Sequence, residues 1–219
     1  MTISNDQHRL RREALYGRLQ RPILLMGNGL RVRNLPMNTL PHRQDSSFLY
    51  FTGCELPGTA ALLDERGCTL FVQPAAEDDA LWHGHVDSSE DLRQRYGVDR
   101  VMDIAGLEQE VPSGVATVAV GDTEATGRAA LIAKRPLRYG QANGDEELIE
   151  AIIALRRSKG PEELAEHRLA AEATSLAFKA AMSATRPGGH EAHIAALFDG
   201  VLAARGCTTG YHSIVTVRG

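Results

Sequence analysis

Three side chains in the stretch RPGGHEAHIAALFDGVLAARG, residues 186–206, have the types needed to hold a metal ion: His190, Glu191 and His193. A zinc-binding hydrolytic helix places two imidazoles four residues apart on one face, with a carboxylate beside the first as general base. Here the histidines stand three apart, so they share a face but the second comes one residue early. The ordinary reading is a helix start, where a carboxylate in the first turn meets the positive end of the helix dipole. Glu191 is then a helix-start residue and His193 a residue of the polar face.

Other groupings carry less. His83 and His85 in WHGH are two apart, a spacing that can chelate a metal on a strand, but no third ligand lies nearby in the sequence. They read as an exposed loop pair. The GNG of residues 27–29 follows an apolar run, yet Val32 stands where a dinucleotide fingerprint requires its third glycine. Ser213 follows His212 without a nucleophile-elbow pattern. Asp78 and Asp79 form an acidic pair of the kind common in solvated turns. Spacing alone displays no active site.

The elements that would position such residues follow from composition and periodicity. The chain has 219 residues, 43% hydrophobic and 24% charged, with a net charge of −4, an ordinary globular balance. That acidic balance gives no electrostatic reason to expect a nucleic-acid partner. Cys54, Cys68 and Cys207 are scattered and odd in number, which fits a reduced compartment better than a disulfide framework. The polar N-terminus holds no signal-peptide core, and no apolar run approaches the roughly 18 residues that cross a bilayer. The expectation is a cytoplasmic protein with no membrane partner.

Residues 6–20 predict an amphipathic helix carrying Leu10, Leu15 and Leu19. Strands are expected at 22–27, 46–53, 59–64 and 68–73, partly antiparallel, because apolar runs alternate with Gly, Pro and acidic turns. From residue 88 the pattern alternates: helix 88–96, a strand at RVMDI, a helix at AGLEQEV, a strand at GVATVAV, and helices over 122–134 and 144–160. Pro161 opens a helix of about 25 residues with two glutamates in its first turn. The next helix carries Ile194, Leu197, Phe198, Val201 and Leu202 as an apolar stripe, and YHSIVTVRG begins a last strand. A boundary near residues 156–161 divides the chain into domains 1–157 and 158–219, the second too small to bury a good core alone.

Several stretches, in order, resemble the Xaa-Pro aminopeptidase (aminopeptidase P) family of creatinase/prolidase-like metallopeptidases. HRQDSSFLYFTGCELPGTAALL (42–63) is similar to that family's N-terminal signature, with Leu56 between Glu55 and Pro57 as a small departure. TLFVQP with LWHGH resembles its Leu-Phe strand and Trp-x-Gly loop. ALRRSKGPEELAEHRLAAEAT resembles the family's lead into its catalytic part, with Gly160 in place of Ser, and RPGGHEAHIAALFDGVLAARG resembles its Arg-Pro-Gly-x-x-Glu helix.

The resemblance implies an α/β fold: an N-terminal mixed sheet flanked by helices, of creatinase/prolidase N-terminal type, followed by an incomplete pita-bread α/β catalytic domain. It implies a hydrolase that releases the residue ahead of proline, acts on proline-containing peptides and assembles as a homo-oligomer. Two manganese or other divalent ions are implied for the full-length enzyme, held by two Asp, one His and two Glu. All of these would lie beyond Gly219, so no metal ligand and no catalytic residue is assigned here, and this chain alone is expected to bind no manganese and to be silent. Trp82 and Arg156 are the residues the resemblance brings near substrate. The plainer alternatives are a half-buried aromatic for Trp82 and a structural ion pair with a nearby carboxylate for Arg156. Arg43 and Asp45 are expected to pair and pin the loop before residues 46–53, and Glu191 to start its helix. The rival readings are a non-catalytic creatinase-type module for oligomerisation or partner binding, or a portion of a prolidase or creatinase.

Overall fold

The computed structural model describes residues 3–75, 81, 84–141 and 145–217. It divides into two compact units, one over Ile3–Ser158 and one comprising Lys159–Gly219 with the first two residues.

The larger unit begins with helix α1 (Asn5–Leu19), capped by Ser4, whose hydroxyl accepts from the Gln7 amide. Leu15 and Leu19 face inward from it as expected. Leu10 does not; it is half exposed, and the buried stripe is completed by His8, Arg11 and Arg12. Strand β1 (Ile23–Met26) follows, then helix α2 (Ser46–Thr52), β2 (Ala60–Asp64) and β3 (Gly67–Val72). Next come α3 (Ser89–Tyr96), β4 (Arg100–Asp103), a single 3-10 turn leading into α4 (Leu107–Glu110), β5 (Ala116–Thr117), α5 (Thr123–Ala133) and α6 (Glu146–Arg157).

Five strands form one mixed sheet in the order β4-β3-β2-β1-β5. β2 runs antiparallel to both β1 and β3, while β5 lies parallel to β1 and β4 parallel to β3. The side-chain period of two divides β1 between two cores. Ile23 and Leu25 join Leu15, Phe48, Phe51 and Leu148 on the face covered by α1, α2 and α6. Leu24 and Met26 join Phe71, Leu107, Val120 and Ala129 on the face covered by α4 and α5. The fold is therefore α/β, a mixed sheet flanked by helices, as the sequence leads one to expect.

Residues 46–53 correct the sequence reading. They are rich in aromatic residues and read as a strand, but they form a helix. Asp45 caps it by accepting from the amides of Ser47 and Phe48, each at 2.9 Å. Gly53 ends it at φ 64°, a left-handed conformation that favours glycine, with its amide donating to the Leu49 carbonyl. Phe48 and Phe51, three apart, then bury completely on one face. The strand expected at GVATVAV also shrinks to Ala116–Thr117, since β5 pairs on one side only.

In the smaller unit, helices α7 (Pro161–Ala184) and α8 (Glu191–Ala203) pack through Ala173, Ala177 and Leu202. The rings of Phe178 and Phe198 meet edge to face with centroids 5.0 Å apart. The closing segment does not form the expected strand: residues 211–217 are irregular, and Ile214 and Val217 are exposed. A strand needs a neighbouring backbone to satisfy its amides and carbonyls. Among the described residues, the five strands of the sheet all belong to the larger unit.

Candidate functional site

The best-built polar region of the larger unit lies at the C-terminal end of β1. The loop after β1 is held by Gln44, which is 7% exposed. Its Oε1 accepts from the Asn28 amide at 2.6 Å and the Asp45 amide at 2.9 Å, while Nε2 donates to the Leu56 carbonyl. Gly27 allows this approach, because a Cβ there would stand 2.9 Å from both Gln44 Oε1 and the Thr59 carbonyl. Asp122, the cap of α5, reaches back to accept from the Gly29 amide at 3.1 Å. A cavity of about 440 Å³ opens beside this loop, lined among others by Arg31, His42, Arg43 and Tyr139.

Arg43 and Asp45 both stand here but not as an ion pair. The Asp45 carboxylate accepts from the α2 amides, and Arg43 contributes its backbone carbonyl to Asn28 Nδ2 at 2.9 Å. The helix start outcompetes the guanidinium because two amides lie within one turn of the same carboxylate oxygen.

A second polar cluster, unsuspected from the sequence, closes the other end of α2. Arg11 Nη1 and the His8 Nδ1 hydrogen donate to the Tyr50 carbonyl, each at 3.0 Å, and Arg12 Nη1 donates to the Phe51 carbonyl at 3.0 Å. Arg12 also donates to the Gly97 carbonyl, and the Arg11 guanidinium lies 4.0 Å above the Tyr50 ring. Cationic donors at a helix C-terminus satisfy its last carbonyls and oppose the negative dipole end. The 3–4 spacing of His8, Arg11, Arg12 and Leu15 was the available signal; arginines are normally assigned to solvent, which hid it. Asp145 forms a third cluster, accepting from Arg21 Nη2 at 2.7 Å, from Arg135, and from the Thr117 amide at 2.8 Å.

Arg156 reaches across to α2: its Nη1 donates to Ser47 Oγ at 2.9 Å, and the guanidinium sits 5.8 Å from the Tyr50 ring centre. The Tyr50 hydroxyl donates to the Leu155 carbonyl, so α2 and the end of α6 are tied at two points. Asp78, Asp79, Trp82 and His83 lie outside the described residues.

His190 and Glu191 are engaged in structural roles. His190 is the cap of α8, its Nδ1 accepting from the Ala192 amide at 3.2 Å, and Glu191 occupies the first helical position. The Glu191 carboxylate accepts from the Val217 amide at 2.8 Å. Among the described residues the one grouping with converging ligand atoms is His85, Asp87 and Asp91, all within 4.8 Å of one another. Both carboxylates there are already bonded to α3 or its cap: Asp87 receives Arg95 Nη2, from the last turn, at 2.8 Å, and Asp91 receives the Ser88 hydroxyl at 2.6 Å and amide at 2.9 Å. The hydroxyl bond from Ser88 holds the Asp91 carboxyl below its usual range. Three such groups do not fit a centre that bridges two ions, which needs about twice that number of donors.

The thiols of the larger unit are not nucleophiles either. Burial pushes Cys68 up to about 12 and raises Cys54, so neither forms thiolate near neutral pH.

No helix among the described residues is long and apolar enough to cross a membrane. Comparison with known proteins matches residues 8–120 to the family described as aminopeptidase P, N-terminal domain. A probable Xaa-Pro aminopeptidase of Penicillium rubens is 31% identical over 180 residues, covering 80% of this chain. The chain spans 38% of that relative's length. Aminopeptidase P from Escherichia coli with the inhibitor Pro-Leu superimposes with a TM-score of 0.77 at 24% identity, over 94% of this chain and 51% of that one. A zinc-substituted form of the same enzyme in complex with product gives 0.68 at 21% identity, with the same coverage. At these identities the solved structures speak for the fold alone.

Proposed function

Because this chain belongs to the aminopeptidase P family through its N-terminal domain, we propose that it is the scaffold portion of a metal-dependent Xaa-Pro aminopeptidase. The full-length enzyme would release the N-terminal residue ahead of proline from peptides. The observation that carries this reading is the agreement between the matched domain and a relative of that name whose length this chain spans by 38%. Divalent metal use is supported by the zinc-substituted neighbour; manganese as the resident ion and assembly as a homo-oligomer follow the family resemblance.

A bound pair of ions would supply hydroxide and polarise the scissile carbonyl. The donor set described above does not fit such a pair, so no hydrolytic step is drawn through this chain's residues. Their work is positional. Gln44, Asp45 and Gly27 fix the loop after β1 and the start of α2, while Arg156 and Tyr50 tie α2 to the end of α6. In this reading Trp82 and Arg156 stand nearest the substrate, and residue 158 divides scaffold from the start of the catalytic part.

The test is hydrolysis of an Xaa-Pro peptide with added manganese, together with metal analysis of the purified protein. These 219 residues are expected to show neither turnover nor stoichiometric metal, and a product extended to the length of the relatives is expected to show both. Turnover by the 219-residue chain would sink the assignment of scaffold.

A further inference from the structure

His85, Asp87 and Asp91 are too few to hold a pair of ions, but three side chains and a water are a common way of holding one. The start of α3 gathers them. Asp91 is the third residue of that helix and completes a capping box with Ser88. Both of its bonds to Ser88 fall on Oδ2, which leaves Oδ1 open. Asp87 lies just ahead of the cap, its side chain 19% exposed, and Arg95 from the last turn of the same helix holds it. His85 stands two residues earlier, with its side chain 80% exposed. Its Nε2 lies 3.9 Å from Asp87 Oδ1, too far for a hydrogen bond.

These bonds orient the two carboxylates without saturating them. An ionised carboxylate offers about four lone pairs, and Asp87 and Asp91 each keep acceptors beyond those that Arg95 and Ser88 use. Partners of this kind behind a ligand fix its direction towards an ion. Donor atoms bonded to one zinc ion at about 2.1 Å stand about 3.4 Å apart in a tetrahedron. Here the three donor atoms lie within 4.8 Å of one another. Closing on an ion therefore moves them by about 1–1.5 Å, and a turn of the exposed imidazole supplies most of that. Two carboxylates against one guanidinium leave the cluster net negative, so a cation is attracted while Arg95 weakens the hold. An imidazole beside carboxylates suits a borderline first-row cation, whereas calcium and magnesium favour sets made of oxygen alone.

We propose that His85, Asp87 and Asp91 bind a single zinc-class divalent ion, which fastens the segment before α3 to the first turn of that helix. This goes beyond the peptidase reading and does not depend on it.

Isothermal titration of the 219-residue chain with zinc chloride tests it, with magnesium chloride as the hard-ion control. We expect one-to-one zinc binding with a Kd of about 10–100 µM and no saturable binding of magnesium. At roughly tenfold excess of zinc over Kd the thermal midpoint should rise by about 2–4 °C. An ion held this weakly leaves during purification, so the purified chain still analyses as metal-free and titration is what reports the site. His85→Ala removes an exposed ring and should leave circular dichroism and the zinc-free midpoint unchanged while zinc affinity falls at least about tenfold. Asp91→Asn keeps an acceptor for the Ser88 amide and should lower zinc affinity about fivefold. Absence of saturable zinc binding, magnesium binding as tight as zinc, or unchanged zinc affinity in either variant would overturn the proposal.

Discussion

At Cys68 burial is the largest influence on the chemistry. The thiol is 2% exposed and is pushed up to about 12, chiefly because a thiolate would lose its water. Native protein is therefore expected to show slow modification of Cys54 and Cys68 by a thiol reagent at pH 8 and fast modification of the partly exposed Cys207; unfolding should release all three. The same shift has a stability consequence. A group whose folded pKa is raised contributes fully below its unfolded value and loses that contribution as pH rises towards the folded one, so the urea midpoint should fall above pH about 9. The slope is up to about 1.4 kcal/mol per pH unit for one thiol, and Cys68→Ala should reduce it. Arg12 is the other residue where one side chain settles a local structure. It is 5% exposed and donates to the carbonyls of Phe51 and Gly97. Arg12→Ala removes the donor from both carbonyls and should cost about 2–3 kcal/mol in equilibrium unfolding. Lysine should not restore it, since a single ammonium lacks the planar fork that reaches two carbonyls.

Helix α2 shows how an element is decided by its ends. Its interior, Phe-Leu-Tyr-Phe-Thr, favours a strand, but its caps and its burial pattern favour a helix, and the caps and burial win. Asp45→Ala should destabilise the protein by about 1 kcal/mol, and Asp45→Asn should recover most of that, both read as shifts in the urea midpoint. Gly53→Ala is expected to be worse. The residue sits at φ 64°, and an added Cβ would lie 2.7 Å from His8 Nε2, so backbone strain adds to displacement of the imidazole that donates to the Tyr50 carbonyl. The signals for this helix were present in the sequence as Asp45 and Gly53, seven residues of helix apart. Periodicity over so short a segment cannot arbitrate between helix and strand, and intrinsic preference then misleads. The long helices α6, α7 and α8 were legible because each spans three or more turns and carries its own start or stop signals. Candidate site residues were less legible. Glu191 could be placed at a helix start from chemistry that favours anions there, whereas Asp45 was expected to pair with Arg43 and instead caps α2. His8, Arg11 and Asp145 act on backbone groups distant in sequence, which no local pattern announces.

For the molecule as a whole, the two units differ in what they bury. Ile3–Ser158 has two cores, one on each face of a five-stranded sheet. The smaller unit buries a cluster of Ala173, Ala177 and Leu202, and leaves Met182, Tyr211, Ile214 and Val217 largely exposed. A protein of residues 3–158 should unfold cooperatively in urea with nearly the midpoint of the 219-residue chain, and residues 159–219 alone should show no cooperative transition. A cooperative transition in the smaller piece would mean that its two helices carry more stability than their buried area suggests.

The sequence by itself determined the sheet-and-helix class, the positions of the long helices and the family, because these rest on local periodicity and on stretches of residues that keep their order. Tertiary structure decided that residues 46–52 are helical and that His8, Arg11 and Arg12 turn inward. Each of those outcomes depends on groups far apart in the chain meeting across a packed interior, where a buried carbonyl must find a donor and an aromatic ring must find a core, and no local pattern records which partner it will be.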